Sequence, residues 1–298
     1  MHKIVLTITL ALSAFSLHAQ DFNEEFGTAL RKGDTTAQKQ VLQRWQSQNP
    51  NSADLYAAYF NYYVNRSMEK VIAIKSEAPD DSSFEITDST GKTVGYIGHD
   101  TRYDDARVTR ALNCIDTGIK KFPARLDLRF GKIYFLSMLK DYDRFTTETI
   151  KTIDYGATIK NKWTWTDDKP VNDPVKFMTD AVQGYIGQLF DTQNDSLAIN
   201  IQQISEVALK YFPQNVEFLS DLSVSWLLRA DYKKALPPLL KAEKLAPSDY
   251  IILGNLGHTY KEMGDKKNAI KYYELYEKYG DEEAKAFAKK ELDLLNKQ

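Results

Sequence analysis

Apolar positions in this chain recur with helical spacing in segments of about a dozen residues, and the segments come in pairs joined by short polar turns. The register is clearest between about 210 and 280. Leu219 and Leu222 are answered 34 residues later by Leu253 and Leu256, Ala235 by Ala269, and Trp226 by Tyr260. The polar punctuation keeps the same step, with Ala230-Asp231 answered by Gly264-Asp265. One unit reads Leu253-x-x-Leu256-Gly257-x-x-Tyr260, Gly264-Asp265, Ala269-x-x-x-Tyr273, and the unit before it closes on Ala242 and Pro247. A fixed period of this length predicts stacked supersecondary units, each of which buries its apolar face only against its neighbours.

Upstream the same grammar returns. Gly33-Asp34 precedes Pro50 by 17 residues, as Ala230 precedes Pro247. Lys121-Phe122-Pro123 and Lys210-Tyr211-Phe212-Pro213 open matching units, and Asp141-Tyr142 follows the first as Asp231-Tyr232 follows the second. Those two units lie 90 residues apart, which is not a multiple of 34, so an irregular segment separates them. Small residues where two helices cross let the backbones approach. Aromatics fill the space between pairs, Gly-Asp turns the chain, and Pro opens the next pair because it cannot continue a helix.

This pattern of a large residue, Leu-Gly, aromatics, a small residue, Ala and Pro resembles the tetratricopeptide repeat. The resemblance implies an all-α, right-handed superhelical solenoid. About six helix pairs are expected, over roughly 22–50, 52–122, 124–156, 174–213, 216–247 and 250–280. A polar capping helix is expected at 281–296. More weakly, the chain resembles exported tetratricopeptide proteins of Bacteroides-type bacteria. On that likeness, Asp88-Ser89-Thr90 and Asp195-Ser196-Leu197 match a short O-glycosylation pattern.

Two segments break the repeat. Within 66–103, between predicted helices at 53–64 and 104–121, Val71-Ile72-Ala73-Ile74 is β-prone. Phe84-Glu85-Ile86-Thr87, a turn at 88–91 and residues 93–97 read as a β-hairpin. The insertion reads either as a specificity or docking element or as a tolerated ornament, since long surface insertions cost little. The second break is the loop 158–172, which carries Trp163 and Trp165. Two apart on an extended chain, they share a side. They read either as an exposed pair that stacks on a sugar or anchors a partner, or as a plug for the groove between the third and fourth pairs.

The N-terminus starts basic with Lys3, runs apolar over 4–17, and reaches Ala19-Gln20, which predicts a signal peptide over 1–19 and a mature chain of 20–298. The apolar run is too short to span a bilayer unaided, with an uncleaved anchor as the competing reading. The chain is expected to be periplasmic or associated with the cell envelope, with no membrane span after cleavage. Removal of Lys3 leaves 38 basic against 41 acidic residues, which disfavours nucleic acid as a partner. One cysteine, Cys114, allows no internal disulfide. On a helix beside Leu112 and Ile115 it reads as a small buried apolar residue.

No catalytic or metal-binding spacing is present: no G-x-S-x-G, no H-E-x-x-H, no phosphate loop and no paired cysteines. No enzyme activity, cofactor or metal is expected. The resemblance places a protein or peptide partner along a concave groove built from the first helix of each pair. By register its candidate contacts are Asn61, Phe130, Tyr134, Glu217, Val224, Asn255, His258 and Lys261. The Lys/Asn/Arg carboxylate clamp of chaperone-binding members is not reproduced. The alternative is a glycan-binding accessory protein that uses Trp163, Trp165 and the insertion.

Overall fold

The computed structural model describes residues 21–76 and 83–297; the expected signal peptide over 1–19 lies outside the described residues. Six helix pairs follow one another. They are α1 (Phe22–Arg31) with α2 (Thr35–Gln48), α3 (Ala53–Ser67) with α4 (Asp105–Lys121), and α5 (Leu126–Met138) with α6 (Tyr142–Thr158). The remaining three are α7 (Pro174–Asp191) with α8 (Ala198–Tyr211), α9 (Val216–Leu227) with α10 (Tyr232–Leu245), and α11 (Tyr250–Glu262) with α12 (Lys266–Tyr279). A single helix, α13 (Glu282–Lys297), closes the stack.

The turns inside four pairs share one construction. Gly33, Lys140, Ala230 and Gly264 each adopt a left-handed backbone, with φ of 67°, 56°, 54° and 77°. The amide after each one, from Asp34, Asp141, Asp231 or Asp265, donates back to the carbonyl five residues earlier at 2.9–3.0 Å. That bond ends the first helix. The carboxylate of the same aspartate then accepts an amide from the first turn of the second helix: that of Ala37, Arg144, Lys234 or Asn268. One residue therefore closes one helix and caps the next. Close crossings rely on missing side chains. A Cβ on Gly257 of α11 meets the Tyr273 ring of α12 at 2.8 Å, and one on Gly118 of α4 meets Tyr56 of α3 at 2.8 Å.

The main core runs through the middle of the stack, with Phe60, Leu126, Phe135, Phe145, Trp163, Ile186 and Phe218 in one cluster. Phe22, Trp45 and Leu55 fill the N-terminal junction. At the other end Leu295 of α13 packs with Tyr273, so the last pair is covered.

The insertion is larger than the expected hairpin. It is a three-stranded antiparallel sheet in the order β1-β3-β2, with β1 Met68–Lys75, β2 Phe84–Thr87 and β3 Thr93–Tyr103. The β-prone stretch was legible, but its pairing partners, Ile97 to Asp100, lie 23–29 residues downstream, where no local turn announces them. The strand β1 continues straight from α3, and β3 runs straight into α4. Asp104 N donates to Ser67 O at 2.8 Å, so the arm begins and ends at one point. Met68 and Tyr103 at its base pack on the core, Tyr103 against Phe135 at 6.1 Å. Further out, Ile74, Ile97 and Phe84 align across the three strands and, with Ile72, leave one exposed apolar face.

The second break folds inward. Thr164 N donates to Ala124 O and its own carbonyl accepts from Leu126 N, both at 3.0 Å, which ties the loop to the turn between α4 and α5. Trp163 is 2% exposed and lies against Tyr155 at 5.7 Å. It also leaves no room for a Cβ on Gly156, which meets the indole at 3.1 Å. Trp165, half-buried, stands between Phe130 of α5 at 6.2 Å and Phe177 of α7 at 5.3 Å. Buried Arg125 holds the same corner, donating to Asp54, Asp127 and Asp168. Burial alone weakens the Arg125 cation, but the hydrogen bonds to Asp127 and Asp54 outweigh it and hold its pKa above the ordinary value.

Candidate functional site

In a stack of helical hairpins the first helices line up on one face. Here α7, α9 and α11 do so, with α9 touching both of the others. Their side chains leave a concavity of about 380 Å³ between them. Its walls are apolar: Phe190 from α7, Val216 and Val224 from α9, and Ile251 and Ile252 from α11. Its polar groups are Gln183 of α7, Glu217, Ser220 and Asp221 of α9, and Asp249, the N-cap of α11.

Asp221 is the unusual member. It is 8% exposed, yet its Oδ2 has no hydrogen-bond partner, and the buried Oε1 of Gln183 lacks one too. Burial pushes the Asp221 carboxyl up to about 7; a hydrogen bond from the Gln183 amide opposes it in part, and the nearby Glu217 charge adds a smaller push upward. A buried carboxylate with a free acceptor beside a second free acceptor is a costly arrangement unless a donor arrives.

Glu217 and Val224 of the expected contacts meet at this concavity. The others are dispersed. Phe130 is enclosed by Trp165, Phe177 and Tyr185, with ring centroids 5.6–6.2 Å away, so the junction consumes it. Tyr134, 58% exposed, lies near Tyr103 at the base of the arm, and Asn61 is exposed on α3. His258 faces the Tyr232 ring of α10 at 6.0 Å, and Lys261 donates to Glu291 of α13 at 2.5 Å. Asn255 is half-buried and its carbonyl accepts from Thr259. Sequence register did not find Gln183, Asp221 or Ile251. The available signal was a carboxylate between apolar positions of α9, in Phe218-Leu219-Ser220-Asp221-Leu222.

The exposed tryptophan pair behind the glycan alternative is not formed, because Trp163 is core and Trp165 is wedged between α5 and α7. Cys114 has its thiol pushed up to about 11 by burial, as an inert packed sulfur should. Among the described residues no three metal-ligating side chains converge, and no helix is long and apolar enough to cross a membrane. A second concavity, of about 480 Å³, lies at α2, α3 and α4, where Lys39, Arg66, Arg107 and Arg110 surround Tyr59, Tyr62 and Tyr63.

No protein-family model matches the chain, and no curated protein matches it. Solved structures do. The C-terminal part of a TPR repeat-containing protein from Cytophaga hutchinsonii is 14% identical, covering 87% of this chain and 79% of its own at a TM-score of 0.44. PilW, a type IV pilus biogenesis factor, is 11% identical over 90% of this chain and 98% of its own, with a TM-score of 0.38. A tetratricopeptide repeat protein from Parabacteroides merdae is 11% identical over 92% and 97%, with a TM-score of 0.31. These likenesses are distant, and the fold stands on the 34-residue step and the shared Asp-capped turns of the chain itself. It is a solenoid of tetratricopeptide-type helix pairs, broken once by a β-arm and once by a tucked loop.

Proposed function

We propose that the chain is a non-catalytic, exported scaffold that binds an extended segment of a partner protein along its first-helix face. The observation that carries this reading is the concavity shared by α7, α9 and α11, apolar in its walls and polar at a few fixed points. Recognition of an extended peptide needs such a surface: pockets for side chains on a rigid frame. Export is supported by the basic, apolar, Ala19-Gln20 start.

The test is selection of random peptides on the immobilised full chain, followed by amide exchange with a selected peptide bound. Protection is expected in α7, α9 and α11, and Val224→Arg should abolish binding while leaving the helical spectrum unchanged. Failure to select any peptide, or protection confined to other helices, overturns the reading. Export is checked separately, by N-terminal sequencing of the chain recovered from the cell envelope.

A further inference from the structure

Two buried acceptor atoms without donors border the gap between α7 and α9, where the Gln183 amide also hydrogen-bonds the Asp221 carboxyl. They are Oδ2 of Asp221 and Oε1 of Gln183, both buried. The charged group that acts on Asp221 is Glu217, which repels it. Lys176, a base on which the Glu217 charge acts, is engaged with Asp180 at 2.6 Å. Asp249 contributes a third carboxylate at the rim. The site is thus rich in acceptors and poor in donors, at the bottom of walls formed by Phe190, Val216, Val224 and Ile252.

A ligand group that satisfies such a site needs an apolar stem and a terminal cluster of N–H donors. A lysine side chain has both: four methylenes and an ammonium with three donors. We propose that this pocket receives a lysine of the bound segment, its stem along the apolar walls and its ammonium on Asp221 and Gln183. The proposal rests on the first-helix face being the ligand-bearing one, and it names the residue that face selects.

Proton balance follows from the geometry. The unliganded carboxyl holds a proton near neutral pH. When the ammonium binds, that proton leaves Asp221 for solvent and the ion pair replaces it. Glu217 and Asp249 place two further carboxylates around the ammonium. Affinity should therefore rise from pH 5 to pH 8.

The experiment titrates the full chain with Nα-acetyl-lysine methylamide and with its norleucine, arginine and free-diamine (cadaverine) counterparts. It follows heat and the carbon-13 signal of the Asp221 carboxyl. The lysine derivative is expected to bind at least about tenfold more tightly than the norleucine one, and to lower the Asp221 midpoint by a unit or more. Asp221→Asn should erase the difference while keeping its helical spectrum. Equal binding of norleucine, unchanged lysine binding by Asp221→Asn, or an unmoved Asp221 midpoint overturns the proposal. Tighter binding of arginine or cadaverine overturns the assignment to a peptide lysine. Selected peptides that bind Asp221→Asn as well as the parent leave the groove standing and sink this pocket. Lysine binding without any selected peptide does the reverse.

Discussion

Single residues here are most revealing where they break the rule for their position. Asp221 holds its proton to about 7 in the folded chain, against 3.8 as its ordinary value. Between those values the folded state keeps a proton that the unfolded chain has shed. The stability tied to this group is therefore full below about pH 4, falls as pH rises towards 7, and is flat above. Asp221→Asn removes the penalty. Urea melts at pH 8 should show the variant more stable by at most about 4 kcal/mol, and melts at pH 4 should show the two nearly equal. A parent less stable at pH 4 than at pH 8, relative to the variant, contradicts this sign. Ala230 makes a second case. It occupies the left-handed turn position where its counterpart is Gly264. Ala230→Gly should stabilise by roughly 0.5–1 kcal/mol, because the strain of a Cβ at positive φ exceeds the extra freedom given to the unfolded chain. Thermal melts check it. These turn positions were legible because Gly-Asp and Ala-Asp repeat with the period. Asp221 was not, since the sequence of α9 does not say which groups of a neighbouring helix will lie against its carboxyl.

At the scale of elements, the helix pairs could be read from spacing, whereas the two breaks could not be fully read. The expected hairpin is present as β2 and β3, and the arm is larger than it because β1 joins β3 through residues that no short turn connects. Its burial explains how loosely it is coupled to the stack: among the described residues of its strands, Met68 and Tyr103 at the base are the ones packed on the core. Replacement of residues 69–102 by a short glycine turn should leave the melting temperature within about 3 °C, a change worth no more than about 1 kcal/mol for a domain of this size. The helix protection pattern should be unaffected. Loss of protection in α3 and α4 would show instead that the arm holds its own pair together. The loop with Trp163 behaves in the opposite way. The residue types allowed either exposure or a plug. What decides is Gly156, which leaves a slot for the indole, and Arg125, which gathers Asp54, Asp127 and Asp168 at the corner beside it.

At the scale of the molecule, each pair depends on its neighbours, so the ends need covers. The cover at the C-terminus is α13, which buries Ala284, Ala288 and Leu295 on the last pair. Truncation after Gly280 should cost on the order of 3 kcal/mol in apolar burial. By hydrogen exchange it should loosen α11 and α12 first, with α1 to α6 unchanged; uniform loosening would mean that the stack responds as one unit. Regularity fails at the third junction, where α8 packs on α6 and Trp165 stands between α5 and α7. That wedge has a consequence for what the molecule can hold. The uninterrupted run of first helices beyond it is three helices wide, about 20 Å at the usual interaxial spacing. An extended chain advances about 3.3 Å per residue. A footprint of some six residues is all that this stretch can read, so selectivity has to come from a short linear word and not from the length of the ligand.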